Sequence, residues 1–173
     1  MVKYWFVAHI VSLQHLGRSH SCRTLSACVP RGITRITELN PLQSMILATM
    51  LVFLGGAAGS MCRYWWSGLV AEHFGETFPF GTLVVNVVGS TIIGLSAGLI
   101  MHVSNSGMAA ALQQLLMVGI CGGLTTFSSF SLQTYNLFTE GRWLSALSNI
   151  VFSTGLSFGC VALGWQITQG ISF

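Results

Sequence analysis

The 173-residue chain has no aspartate, four glutamates and seven lysines or arginines, so only 6% of it is charged. A soluble domain carries roughly 25%. With 52% hydrophobic residues and a mean hydropathy of +0.70, the composition excludes a soluble globular protein. No His or Glu lies in the middle of an apolar segment. Ser-His-Asp, paired-carboxylate and metal-ligand schemes therefore all lack parts, and no enzyme is expected. Proton-coupled transport normally uses an ionisable residue at mid-membrane, and that is missing too. Whatever crosses here is handled by uncharged groups. The five cysteines (Cys22, Cys28, Cys62, Cys121, Cys160) are odd in number, without a CxxC pair, which argues against a disulfide framework or zinc site. Those in apolar segments read as small buried hydrophobes.

The few charges are unevenly placed. Residues 1–44 hold Lys3, Arg18, Arg23, Arg31 and Arg35 against Glu38, whereas residues 45–173 hold only Arg63 and Arg142 against Glu72, Glu76 and Glu140. A nucleic-acid-binding domain would carry its basic charge on the folded body, and this chain does not. The first 44 residues form a basic extension with an apolar patch, Tyr4 to Leu13, too short to span a bilayer. A signal peptide, an acid-poor presequence and a working start at Met45 are all open readings. The expected division is an extension over 1–44, disordered, processed or not translated, and a membrane domain over 45–173. His9, His15 and His20, spaced 6 and 5 apart, fit neither a helix face nor a metal site.

Long apolar runs are what the chain has in abundance. Four segments, about Met45–Val70, Phe80–Val103, Met108–Phe138 and Trp143–Ile167, approach or exceed the roughly 20 residues that cross a bilayer. The connections EHFGETFP, HVSNSG and FTEGR carry loop residues. An all-α membrane domain of four transmembrane helices is expected. Gly55/Gly59, Gly94/Gly98 and Gly155/Gly159 form GxxxG pairs in the first, second and fourth helices; such spacing lets helices approach closely, though Gly is also simply common in membrane helices. Four short helices enclose little interior, so a homo-oligomer is expected. Arg63 and Arg142 give the positive-inside rule almost nothing to act on, which permits insertion in both orientations, provided that the basic extension is absent or processed.

Polar residues recur with helical spacing. Thr82, Asn86 and Ser90 share one face of the second helix, and Asn149, Ser153 and Ser157 one face of the fourth. They serve as interhelical glue or as a hydrogen-bonding track for a small ion. In the third segment, GGLTTFSSF (122–130) combines two helix-weakening glycines with four hydroxyls, and a helix break is expected there. Irregular backbone at membrane depth must be surrounded by protein or water, and its freed carbonyls can bind a cation. Phe127 and Phe130 share a face; ring edges are electropositive, but two such residues in a membrane helix are usually core or lipid-facing.

Three motifs, GGAAGSMCRY (55–64), GTLVVNVVGS (81–90) and GICGGLTTFSSFS (119–131), occur in the order and spacing of the Fluc (CrcB) fluoride channels, which residues 46–167 resemble. The resemblance implies passive, selective fluoride export that lowers cytoplasmic toxicity. It also implies an antiparallel dual-topology homodimer in the bacterial inner membrane, with two pores and a central structural sodium ion. Mapped onto this chain, Phe127 and Phe130 look like the pore phenylalanines and Asn86 like the pore asparagine. Thr126 and Ser129 resemble the adjoining hydroxyl track, and Ser153 and Ser157 the polar face of the fourth helix. Gly122 and Thr125 would offer backbone carbonyls to sodium from both subunits, and Arg63 resembles a structural arginine. Asn149 and Gln133 depart from the family pattern, which often has Tyr and Glu at those positions. The alternative, a small four-helix multidrug or cation exporter, needs a carboxylate in its first helix, and residues 46–70 contain none.

Overall fold

The computed structural model describes residues 40–75 and 77–170; most of the basic extension lies outside them. Helix α1 spans Pro41–Phe74. Proline at its first position needs no hydrogen-bond partner, and the Asn40 amide donates to Gln43 Oε1 at 3.3 Å. Helix α2 spans Phe80–Met101. The third crossing comprises α3 (Ser106–Leu112), a π-helical stretch Gln113–Cys121, α4 (Gly122–Leu124) and α5 (Phe127–Thr139). Helix α6 spans Trp143–Gly170. Four helical spans are long and apolar enough to cross a membrane, and the chain is a multi-pass membrane protein. The spans overrun the expected limits at several ends; α1 alone, at 34 residues, would extend about 51 Å, against a hydrocarbon core of roughly 30 Å.

The interior is unlike that of a soluble protein. Among the described residues the buried set pairs Val85, Ala146, Leu124 and Leu137 with Thr82, Thr126, Thr134, Asn149, Ser153 and Thr168, while Phe53, Trp65, Leu144 and Phe158 face outward. Lipid is as apolar as leucine, so packing and hydrogen bonds, rather than exclusion from water, hold such helices together. Helix α1 packs on the π-helical stretch and α2 on α6. Both interfaces are made by glycine. A Cβ at Gly55 would come within 2.6 Å of the Leu115 carbonyl, and one at Gly94 within 2.5 Å of the Val161 carbonyl.

Two expectations are refined. Gly155 and Gly159 face away from the protomer, with nothing within 4 Å of a Cβ at either; α6 instead brings Gly164 against α2, where a Cβ would meet Leu95 N at 2.9 Å. The glycines of α2 select the face of α6 that can come close, and that face carries Gly164. The third crossing is broken, but not at its glycines. Gly122 is helical (φ −64°, ψ −34°), and the extended residues are Thr125 (φ −80°, ψ 151°) and Thr126 (φ −148°, ψ 115°). Gly123 serves contact instead, since its Cβ would lie 2.5 Å from the Gly56 carbonyl.

Gly59→Ala and Gly94→Ala each drive a methyl into backbone that cannot rotate away. Each should cost about 1–3 kcal/mol, seen as a lower unfolding temperature in detergent. Gly155→Ala should leave that temperature unchanged or raise it.

Candidate functional site

The site is built around the break. In an unbroken helix Thr126 N–H would bond to the Gly122 carbonyl; here it donates to Asn86 Oδ1 at 2.8 Å. Asn86 Nδ2 in turn donates to the Thr126 carbonyl at 3.3 Å. A backbone N–H can only donate and a carbonyl can only accept, so the amide orientation follows. One N–H of Asn86 remains beyond this pair. Beside it, Gly89 admits the Thr125 methyl, which a Cβ there would overlap. Helix α2 thus holds both extended residues. Thr125 N–H and Oγ1 both donate to the Cys121 carbonyl at 2.9 Å, which ends α4. Thr126 caps α5 by accepting from Ser129 N–H at 3.2 Å, the usual task of a threonine at this position.

Thr126 borders two cavities. One, of about 300 Å³, is lined by Asn86, Thr126, Phe127, Phe130, Ser153 and Ser157, with Gly89, Ser90, Ile93, Thr125 and Thr154 completing it. Among the described residues no charged side chain lines it. Phe127 is 77% exposed and Phe130 9%; their ring centroids lie 5.5 Å apart, inclined at 43°. The other cavity, of about 730 Å³, is lined by Thr126, Ser128, Ser129, Gln133, Arg63 and Arg142 among others. It therefore holds both cationic side chains of residues 45–173. Arg142 donates to the Thr77 carbonyl and lies 3.5 Å from Glu140, tying two loops together at this cavity.

Of the residues singled out from sequence, Asn86, Thr126, Phe127, Phe130, Ser153 and Ser157 are brought together around the smaller cavity. Ser129 lines the larger one. Thr125 borders the smaller cavity, whereas Gly122 lines neither and is exposed on the protomer. The Thr82–Asn86–Ser90 stripe divides, with Thr82 in the larger cavity and the other two in the smaller. Asn149 leaves the polar track altogether. It is 1% exposed, donates to Thr134 Oγ1 at 2.8 Å and accepts from Ser153 at 3.1 Å. Thr134 donates onward to the Phe130 carbonyl at 2.7 Å. Sequence reasoning missed Gly89 and Thr154, which no local pattern distinguishes, and the meeting of Arg142 with Arg63.

The fold and site define a multi-pass membrane protein with a cavity lined by amide, hydroxyl and aromatic groups. Residues 50–165 match the family model described as CrcB-like protein, Camphor Resistance (CrcB), and the chain belongs to this family. It is 50% identical over 123 residues to the fluoride-specific ion channel FluC of Opitutus terrae, covering 71% of this chain and 93% of that protein. FluC of Rhodospirillum rubrum is 50% identical over 104 residues, 60% of this chain and 81% of its own. FluC of Paramagnetospirillum magneticum is 48% identical over 119 residues, 69% and 93% respectively.

Asn86→Leu strips both partners from the Thr126 backbone, and a buried unsatisfied group costs about 1–3 kcal/mol. It should lower the unfolding temperature in detergent more than Ser157→Ala, which breaks no bond within the protomer. At a pH that ionises the new carboxyl, Asn86→Asp should not restore stability, because a carboxylate cannot donate to the Thr126 carbonyl.

Proposed function

We propose that the protein is a fluoride channel that lets the ion leave the cytoplasm down its gradient. The observation that carries this reading is that Thr126 borders both a cavity holding two arginines and a smaller one lined by amide, hydroxyl and phenyl groups without charge. Arg63, beside the Arg142–Glu140 pair, leaves the larger cavity with net positive charge, which favours entry of an anion. A small, tightly hydrated anion then requires donors to replace its water. Asn86, Thr126, Ser129, Ser153 and Ser157 supply polar contacts, and Phe127 and Phe130 supply ring edges. The names of the relatives point to fluoride among small anions. Among the described residues no carboxylate lines the smaller cavity, which disfavours a proton-coupled cation exporter.

The working unit is an antiparallel homodimer with two pores. Gly122 and Phe127, on either side of the break, are exposed on the protomer, and a second copy covers them. The scarcity of positive charge in residues 45–173 accords with two opposed orientations. The donor set at the break suits a sodium ion: diversion of Thr126 N–H to Asn86 deprives the Gly122 carbonyl of its helical donor, and carbonyl oxygens are hard ligands. Gly122 and Thr125 of both subunits would hold it. Such an ion, when bound, supplies positive charge near the anion route in a low-dielectric interior.

In liposomes loaded with potassium fluoride, the protein should release fluoride to an external electrode once a potassium ionophore is added; retention would refute the channel. Phe127→Ile should reduce efflux by at least tenfold while chemical cross-linking still traps the dimer. Replacement of sodium by choline throughout purification should lower the unfolding temperature of the dimer.

A further inference from the structure

Lining a cavity is not the same as offering a proton to it. Six hydroxyls border the smaller cavity, and each has only one hydrogen to donate. Thr125 gives its hydrogen to the Cys121 carbonyl and Thr154 gives its own to the Ile150 carbonyl. Thr126 Oγ1 donates to Ser129 Oγ at 3.1 Å. Ser153 donates to Asn149, and that direction is fixed from the far end of the chain. The Phe130 carbonyl can only accept, so Thr134 donates to it. Thr134 Oγ1 must then accept from the Asn149 amino group, which leaves Asn149 Oδ1 to receive the Ser153 proton. Asn149, where the family resemblance suggested tyrosine, thereby presents Ser153 to the cavity as an oxygen lone pair.

Two hydroxyl hydrogens remain, those of Ser90 and Ser157, neither of which has a hydrogen-bond partner among the described residues. In an apolar helix a serine commonly folds back onto the carbonyl four residues earlier. Thr91, the next residue, does so, donating to the Val87 carbonyl at 2.9 Å. Ser90 does not, although the Asn86 carbonyl stands at the equivalent position. Ser90 is half-buried at the cavity, so its hydroxyl stays available to a ligand there. Its neighbour one turn away, Asn86, has its second N–H left over on the same helix.

We propose that Ser90 is a direct anion ligand, donating its hydroxyl hydrogen to the permeating ion together with Ser157 and the second N–H of Asn86. This rests on the channel reading above. It deepens that reading by separating the hydroxyls that give a hydrogen to the ion from those that hold the walls in place.

The test measures fluoride efflux from liposomes for the full chain and its variants, with circular dichroism and cross-linking as checks on folding and dimer formation. Ser90→Ala should lower efflux by about tenfold, and Ser90→Thr, which keeps the hydroxyl, should recover it to within about threefold of the parent. Thr91→Val removes a neighbouring hydroxyl that lies outside the cavity and is committed to the Val87 carbonyl, and should stay within about twofold. Ser90→Cys, nearly isosteric with a weaker donor, should fall between Ser90→Ala and the parent. If the parent conducts and Ser90→Ala conducts equally well, the ligand role of Ser90 is overturned while the channel stands. An equal loss in Ser90→Ala and Ser90→Thr would likewise overturn it, since the effect would then be one of shape. If the parent itself releases no fluoride, the channel reading is what fails.

Discussion

The two hydrogen bonds between Asn86 and the Thr126 backbone are the constraint on which the site depends. A transmembrane helix satisfies its own polar groups; interrupting one at membrane depth exposes N–H and C=O groups to surroundings that offer no water. A side-chain amide has the donor and acceptor needed to replace one missing rung. Once α2 supplies that amide, the chain can run extended through Thr125 and Thr126. Helix α5 can then start afresh at Phe127 under a threonine cap, with Phe127 and Phe130 directed to one cavity.

The glycine contacts follow from that arrangement. Asn86 reaches Thr126 only because Gly89 gives way to Thr125, and because α1 seats the preceding π-helical stretch closely through Gly55 and Gly59. Gly94 and Gly98 in turn draw α6 in, so that Ser153 and Ser157 face the break from the other side. Polar side chains fill much of the small interior because lipid provides no incentive to bury apolar ones. The outward-facing phenylalanines, tryptophans and leucines are the ordinary consequence of an apolar solvent.

The same geometry divides the polar residues by task. Asn149, Thr134 and Thr126 make bonds among protein groups and fix the walls, whereas Ser90 and Ser157 leave a hydrogen uncommitted. The arginines stand apart from both sets, in the larger cavity, with Arg142 linking the loop at Thr77 to the loop at Glu140.

Hydropathy and spacing by themselves determined the membrane class, the number of crossings, the broken third helix and most of the side chains at the cavity, because bilayer thickness and helical periodicity are imprinted directly on residue order. Two facing stripes, from Asn86 and from Ser153, could be read in this way. Tertiary structure alone decided where the break falls. Glycine weakens a helix anywhere, but the ladder opens only where an external amide can take its place, three residues beyond Gly123. It also decided that Gly164 and not the Gly155/Gly159 pair meets α2, and that Asn149 serves the wall while Ser90 serves the cavity. Each of these turns on which partner stands within hydrogen-bonding or van der Waals reach, and helical periodicity carries no record of that.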